Sequence, residues 1–243
     1  MKESLQFGND ILRDLLPRDR RWLVVSTLSI KDRIAGQFAD HNAAVELNPD
    51  LDERILDNWE GGLPNVDAVL GVGGGRAIEA AKYAAWRRDL PLWLAPSALT
   101  CDAFAMPPIA LRRERRLEYT GEIAPERVLI DFDLIQSAPA HLNRAGAAEI
   151  LAIHTALWDW QWAEEFGEGE RDIDAAADAA RLLARLDEAT EEIQAVSEDG
   201  IRTLVDLLAA KAEVCRRLGS RRPCEGSEHY WANNAEYCTK RLF

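Results

Sequence analysis

Two patterns of apolar and polar residues divide the chain near Ser137. On the N-terminal side, short apolar runs alternate with segments of helical period. "RWLVVST" (Arg21–Thr27) leads into a helix through Phe38, and "NAAVEL" (Asn42–Leu47) is followed by "DLDERILDNWEG". "VDAVLGVGGG" (Val66–Gly75) leads into "RAIEAAKYAAWRRD", and "LPLWLAPS" and "RVLIDFDLI" complete the set of strands. Strands alternating with helices imply right-handed βαβ crossovers and a mostly parallel, doubly wound sheet. Beyond Ser137 the strand signal ends. "AGAAEILAIHTALWDWQWAEEF" is apolar around much of its circumference and predicts a buried helix. "RDIDAAADAARLLARLDEATEEIQ" and "SEDGIRTLVDLLAAKAEVCRRLG" carry apolar positions at helical spacing, and the Gly219–Gly226 segment reads as a loop before a last helix. The expected organisation is an α/β domain over residues 1–136 followed by an all-helical domain over residues 137–243.

Composition narrows the class without naming a chemistry. Apolar residues at 47% and charged residues at 29% are those of a soluble globular protein. A formal charge of −13 argues against a nucleic-acid partner, while leaving room for a local cationic pocket. The four cysteines, Cys101, Cys215, Cys224 and Cys238, form no C-x-x-C pair and no zinc-finger spacing, which suits a reduced, cytoplasmic protein. "MKESLQFGND" places charges where a signal peptide needs an apolar core, and no uncharged run is long enough to span a bilayer.

The glycine run Gly73-Gly74-Gly75 lies between an apolar strand and a helix, where open α/β sheets bind ligands. Glycines there let the backbone approach a diphosphate, and the helix N-terminus adds N–H groups and a positive dipole end. Arg76 offers a charge-assisted contact to the same phosphates. A tight turn without a ligand is the competing reading. The spacing is not G-x-G-x-x-G, and no acidic residue stands at the end of the next strand.

"LGVGGGRAIEAAKYAA" resembles the G-G-G-S-x-x-D-x-A-K signature of the glycerol-1-phosphate dehydrogenase group, within the superfamily of 3-dehydroquinate synthases and iron-containing alcohol dehydrogenases. In chain order, "SLQFGNDILRDLL" resembles the opening strand and helix of that group, and "LPLWLAPSALTCDAFAMP" its P-T-x-x-S-x-D-x-x-A-S segment. "PERVLIDFDLIQSAPAHLNRAG" resembles the domain crossover, "ILAIHTALWDWQWA" the first long helix, and "GSEH" a metal-binding segment. The resemblance implies a dehydroquinate synthase-like fold with NAD or NADP and a divalent metal held between the two domains. It implies that Gly73, Gly74 and Gly75 hold the cofactor pyrophosphate, that Ser97 and Thr100 line the nucleotide site, and that Asp102 faces substrate and nicotinamide. Glu149 falls on the position of the metal-binding aspartate and His229 on that of the first metal-binding histidine. A carboxylate with an imidazole suits zinc, which would polarise a substrate carbonyl for hydride transfer.

The chain departs from that pattern at the chemistry. Ala148-Glu149 stands for Gly-Asp, Ile153 for a common lysine, and Arg76 for a small hydroxyl residue after the glycines. Asn233 and Asn234 occupy a place where a histidine often sits. The chain stops at Phe243, short of the loop in which members of the family carry the second metal-binding histidine, usually as His-Gly-Glu, so that ligand is expected to be absent from this chain. His41 and His141 read as surface residues, and His154 is turned away from Glu149 along its helix. A site with these two ligands would be weak or would depend on a neighbouring subunit. For Glu149 the alternative is pairing with Arg221 or Arg222, for His229 a solvated loop, and for Asp102 a helix N-cap. Trp158, Trp160 and Trp162 read as helix packing, and "LRRERRLE" as a loop or hairpin rather than a phosphate patch. A C-terminally short relative would leave apolar faces of the helical domain uncovered, so a homo-oligomer is expected. Three functions compete. They are metal-dependent NAD(P)-linked reduction of dihydroxyacetone phosphate, a substrate-switched relative (a polyol dehydrogenase or sugar-phosphate cyclase), and a non-catalytic nucleotide-binding protein.

Overall fold

The structure, a computed structural model, describes residues 4–239. The chain separates into two compact units. One comprises Met1–Leu99 with Ala103–Pro139, and the other Thr100–Asp102 with Ala140–Phe243. The division after Pro139 follows the short helix that ends at Gln136 and the turn behind it, in which Ser137 Oγ donates to Leu134 O at 2.6 Å.

The first unit is a parallel six-stranded sheet of β1 (Leu5–Gly8), β2 (Trp22–Ser26), β3 (Ala43–Leu47), β4 (Ala68–Gly73), β5 (Leu92–Pro96) and β8 (Arg127–Asp131), in the order β1-β8-β5-β4-β2-β3. Helices α1 (Ile11–Leu15), α2 (Leu28–Ala35) and α3 (Glu53–Gly61) lie between the first strands. Its central strands β2 (Trp22–Ser26), β4 (Ala68–Gly73) and β5 (Leu92–Pro96) are buried along their whole length. Continuous apolar runs are the pattern of strands covered on both faces. The edge strands β1 (Leu5–Gly8) and β3 (Ala43–Leu47) are only half-buried. β3 lies outside β2 on one side, and β4 then β5 continue on the other, so the strand order reverses between β2 and β4.

Helix α4 (Gly75–Arg88) packs on β4 by an exchange of small residues. A Cβ at Gly71 would come within 2.7 Å of the Ala81 Cβ, and one at Gly73 within 2.6 Å of the Ala77 Cβ. Glycines two apart on a strand share a face, and alanines four apart share a helix face. Two buried charges hold the same helix to the hairpin β6 (Pro108–Arg113) and β7 (Arg116–Glu122). Lys82 Nζ donates to Glu79 at 3.1 Å and to Pro108 O at 2.7 Å, while Glu79 accepts from Ala110 N at 2.9 Å. "LRRERRLE" is this hairpin, turning through Glu114 and Arg115 at φ 50° and 68°.

"RVLIDFDLI" is not one strand. β8 (Arg127–Asp131) gives way to α5 (Phe132–Gln136) because the Asp131 side chain accepts from Leu134 N and from Ile11 N, each at 3.0 Å. Burial pushes the Asp131 carboxyl above its usual range. His41 is buried rather than at the surface, with Nε2 3.2 Å from Leu16 O and its ring edge-on to Phe38.

The second unit contains α6 (Ala140–Glu165), α7 (Ile173–Glu188), α8 (Thr190–Ala195), α9 (Glu198–Leu218) and α10 (Ser227–Thr239). Asp172 and Ser197 cap α7 and α9 by accepting from Ala175 N and Gly200 N. The expectation of a helix buried all round fails for α6. Its buried stripe runs through Asn143, Gly146, Ile150, Ile153, Ala156 and Trp160, while Leu151, Trp158 and Trp162 on other faces are more than half exposed. The packing expected of the three tryptophans therefore holds for Trp160 only. Trp158, Trp162 and Phe166 contact one another instead along the outside, tilted and then edge-on, at centroid spacings of 5.2 and 5.4 Å.

Candidate functional site

Within the first unit, the glycine turn stands at the carboxyl edge of the sheet, beside the point where strand order reverses. Parallel sheets bind ligands at such a point because the loops on either side diverge and leave a crevice. Gly73 is occupied by packing, as described above. Gly74 is different. A Cβ there would meet nothing within 4 Å, and its backbone is extended at φ −76°, ψ −175°. α4 then starts without a side-chain cap, which leaves the positive end of its dipole to a ligand or to water. The Ser97 amide donates to Gly73 O at 3.0 Å, which places the buried Ser97 directly beside the turn. Arg76, the second residue of α4, reaches Asp50 at 3.7 Å with both side chains about half exposed. Pairing of this kind leaves a guanidinium available to an anion.

Thr27 was missed by motif reasoning. It follows β2 across the strand reversal, its Cγ2 would lie 3.3 Å from a Cβ at Gly73, and its hydroxyl is 2.9 Å from that of Ser29. The signal was the hydroxyl pair closing "RWLVVST" at the height of the glycines. Thr100 groups with the second unit, where its hydroxyl contacts Cys101 Sγ at 3.8 Å. Asp102 also belongs to the second unit and lies in a turn rather than at the start of a helix, which removes the N-cap reading.

The second unit assembles a cluster of charges from four segments. Asp102 comes from the 100–102 turn, Glu149 from α6, Lys211 from α9, and Glu225 and His229 from the loop and first turn of α10. Gly226 lets that loop pass α6 closely, since a Cβ there would stand 2.8 Å from Ala156 N. Asp159 of α6 then accepts from Ser227 N at 2.6 Å and caps α10. Glu228 accepts from Gly226 N at 2.9 Å and holds His229 Nδ1 at 2.8 Å, which aims Nε2 toward Glu149 at 3.5 Å. "GSEH" is thus a small device for orienting one imidazole.

Lys211 occupies the middle. Its ammonium lies 3.0 Å from Asp102, 2.5 Å from Glu149 and 4.0 Å from Glu225, and its side chain is fully buried. Glu149 therefore pairs with a lysine, not with Arg221 or Arg222, and Arg221 binds Glu225 at 3.1 Å. Ile153 is a core residue, so the cation missing from α6 enters from another helix. His154 and His141 are both exposed.

These contacts govern the titrations. Burial pushes the Glu149 carboxyl up, but hydrogen bonding from His229 and the charge of Lys211 outweigh it and hold the group at about 2. Burial lowers Lys211, and the charges of Asp102 and Glu149 more than reverse this, so the amine stays protonated. Burial also lowers His229, and hydrogen bonds to Glu149 and Glu228 lift it to about 9. A pKa raised from 6.5 stabilises the fold fully below pH 6.5 and loses that contribution as pH rises through 9. Allowing for the partial exposure of the ring, wild type should lose about 1–2 kcal/mol more than His229→Gln between pH 6.5 and pH 9.5. Urea denaturation of both proteins in chelator measures this, and parallel curves for the two would contradict the assigned contacts.

The donors suit a divalent ion in kind. One ligand atom from each of Glu149, Glu225 and His229 lies within 4.8 Å of the others. The obstacle is Lys211, bonded to the same Glu149 oxygen that faces His229. A doubly charged ion about 4 Å from an ammonium costs roughly 8 kcal/mol at an effective dielectric of about 20. With Lys211 in place, the residues do not fit a divalent metal.

A family model described as iron-containing alcohol dehydrogenase matches residues 10–139. The chain is similar to glycerol-1-phosphate dehydrogenase [NAD(P)+] of Hyperthermus butylicus, at 32% identity over 81% of this chain and 54% of the relative. It is 36% identical to the protein of the same name from Thermofilum pendens, over 70% of this chain and 49% of that one. The chain thus spans about half to two thirds of the length of the curated relatives it matches. Among solved structures, an iron-containing alcohol dehydrogenase from Corynebacterium glutamicum superposes with a TM-score of 0.72 at 16% identity, covering 98% of this chain and 67% of that chain. A probable glycerol dehydrogenase from Sinorhizobium meliloti gives 0.71 at 16%, over 96% and 69%. The fold is that of these proteins, a parallel sheet followed by helices. Among the described residues no helix is long and apolar enough to cross a membrane.

Proposed function

Because this chain belongs to the iron-containing alcohol dehydrogenase family, we propose that it is an NAD(P)-linked oxidoreductase acting on a small phosphorylated ketone and its alcohol, with dihydroxyacetone phosphate as the first candidate. The observation that carries this reading is the open glycine turn at the strand reversal, in a chain whose curated relatives are named as NAD(P)+ enzymes of glycerol 1-phosphate.

In this reading the backbone at Gly74 and Gly75, with the start of α4, receives the cofactor diphosphate, and Arg76 adds a cation. Ser97, through its amide, and Thr27, through its methyl, border the same turn. A bound nicotinamide supplies the hydride. Within the second unit, the charged cluster carries the groups able to answer negative charge on a substrate oxygen. His229 is the proton donor, since Nδ1–H is committed to Glu228 at 2.8 Å while Nε2–H is held by Glu149 at only 3.5 Å. Asp102 and Glu149 keep Lys211 in position and charged.

A second reading, nucleotide binding without turnover, is favoured by the fully buried state of Lys211. The test is NADH- and NADPH-dependent reduction of dihydroxyacetone phosphate, with and without zinc, on wild type and His229→Ala. Turnover that prefers the phosphorylated ketone to free dihydroxyacetone, and falls at least tenfold in the variant, is expected. Intact nucleotide binding with no turnover of either ketone would transfer the assignment to the second reading.

A further inference from the structure

We propose that Lys211 is the resident cation of the charged cluster, and that its ammonium takes the place of a divalent metal among Asp102, Glu149 and Glu225. This goes beyond the dehydrogenase reading and stands independently of it, because its test reads metal uptake rather than turnover.

The first argument is charge. Three carboxylates from three separate segments converge within 4.0 Å of one nitrogen whose side chain is fully buried. Removing charges from water is costly unless they are paired, so a convergence of this kind requires a cation at its centre. Here the chain provides it. Arg221 on Glu225 and Glu228 on His229 complete the pairing, so no carboxylate of the cluster lacks a positive or N–H partner. A metal on Glu149 Oε1 would have to displace the bond already made to Lys211, while Glu228 Oε2 is buried without a partner.

The second argument is geometry. Glu149 turns its Oε1 to Lys211 and presents that same oxygen to His229. An ion bridging Glu149 and His229 would share an oxygen with the ammonium and stand beside it. Lys211 lies on the buried face of α9 among Leu207, Leu208 and Val214, where few directions other than the cluster are open to its amine. A fixed ammonium performs one service of a metal, a permanent positive charge beside a polar pocket. It offers no open coordination position and cannot be removed by a chelator.

The experiment compares zinc and ferrous iron binding by wild type and Lys211→Ser, using calorimetric titration and metal analysis after gel filtration. Wild type is expected to retain less than about 0.1 ion per chain. Lys211→Ser, with three carboxylates and His229 left facing a vacant centre, is expected to bind at least 100-fold more tightly and to rise in melting temperature when the ion is added. Stoichiometric sub-micromolar zinc binding by wild type, lost in Glu149→Gln, would overturn the proposal. So would a folded Lys211→Ser that gains no affinity. Should that variant not fold even with metal present, the wild-type titration with its Glu149→Gln control decides the matter.

Discussion

Lys82→Met is expected to lower the free energy of unfolding by about 3–5 kcal/mol, the range found when one partner of a buried ion pair is removed. The side chain is 1% exposed and that of Glu79 8%, so neither charge has water to fall back on. Methionine matches the aliphatic stem of lysine, so lost packing contributes little. What changes is that Glu79 keeps the Ala110 amide but loses the Lys82 ammonium at 3.0 Å, and Pro108 O loses its donor at 2.7 Å. Both losses fall on the seam between α4 and the β6–β7 hairpin. The double variant Glu79→Leu/Lys82→Met should recover most of the deficit, because replacing a buried pair whole is often neutral or better. Equilibrium urea denaturation of the two variants checks this, and a single variant within 1 kcal/mol of wild type would show that the pair contributes little. The glycine-rich signature that suggests cofactor binding thus ends, at Glu79 and Lys82, in a clamp that holds the sheet's hairpin in place.

The same segment illustrates what the sequence makes legible. β2, β4 and β5 are readable because a strand covered on both faces is apolar without interruption, and the alternation of strand and helix carries the topology with it. Three features escape that logic. α5 is hidden in "RVLIDFDLI" because its start depends on Asp131 acting as a cap, which an apolar run conceals. A hairpin is among the readings of "LRRERRLE", but its turn is not, since Glu114 and Arg115 make it at positive φ where the usual signal would be Asn-Gly. α6 looks buried because its exposed aromatics satisfy one another rather than a core. At the candidate site, motif order points to Gly73–Gly75, Glu149 and His229, since each lies in a contiguous segment. Lys211 escapes notice because its partners are 62 and 109 residues away along the chain. Its one local trace is a lysine on the apolar stripe of α9, a position where an unpaired charge would be intolerable.

Gly73→Val and Gly74→Val should fail in opposite ways, although the residues are neighbours. At Gly73 the new Cβ falls 2.6 Å from Ala77 Cβ and 3.3 Å from Thr27 Cγ2, between α4 and the N-cap residue that follows β2, which cannot both retreat. Overpacking of that kind costs about 1–3 kcal/mol, and the branched side chain puts valine at the upper end. At Gly74 the space is empty and the backbone is one that any residue adopts, so the fold should change by no more than about 1 kcal/mol, chiefly through a poorer N-cap. The emptiness is what a diphosphate needs. Valine methyls at that point would stand between the phosphates and the start of α4, and NAD(P)H affinity should fall at least 100-fold, about 2.7 kcal/mol. Fluorescence titration of NADH and NADPH, run beside thermal melts of both variants, separates the two effects. A stable Gly74→Val that binds either dinucleotide like wild type would mean that the turn serves packing alone, and the cofactor assignment for Gly74, Gly75 and Arg76 would have to be abandoned.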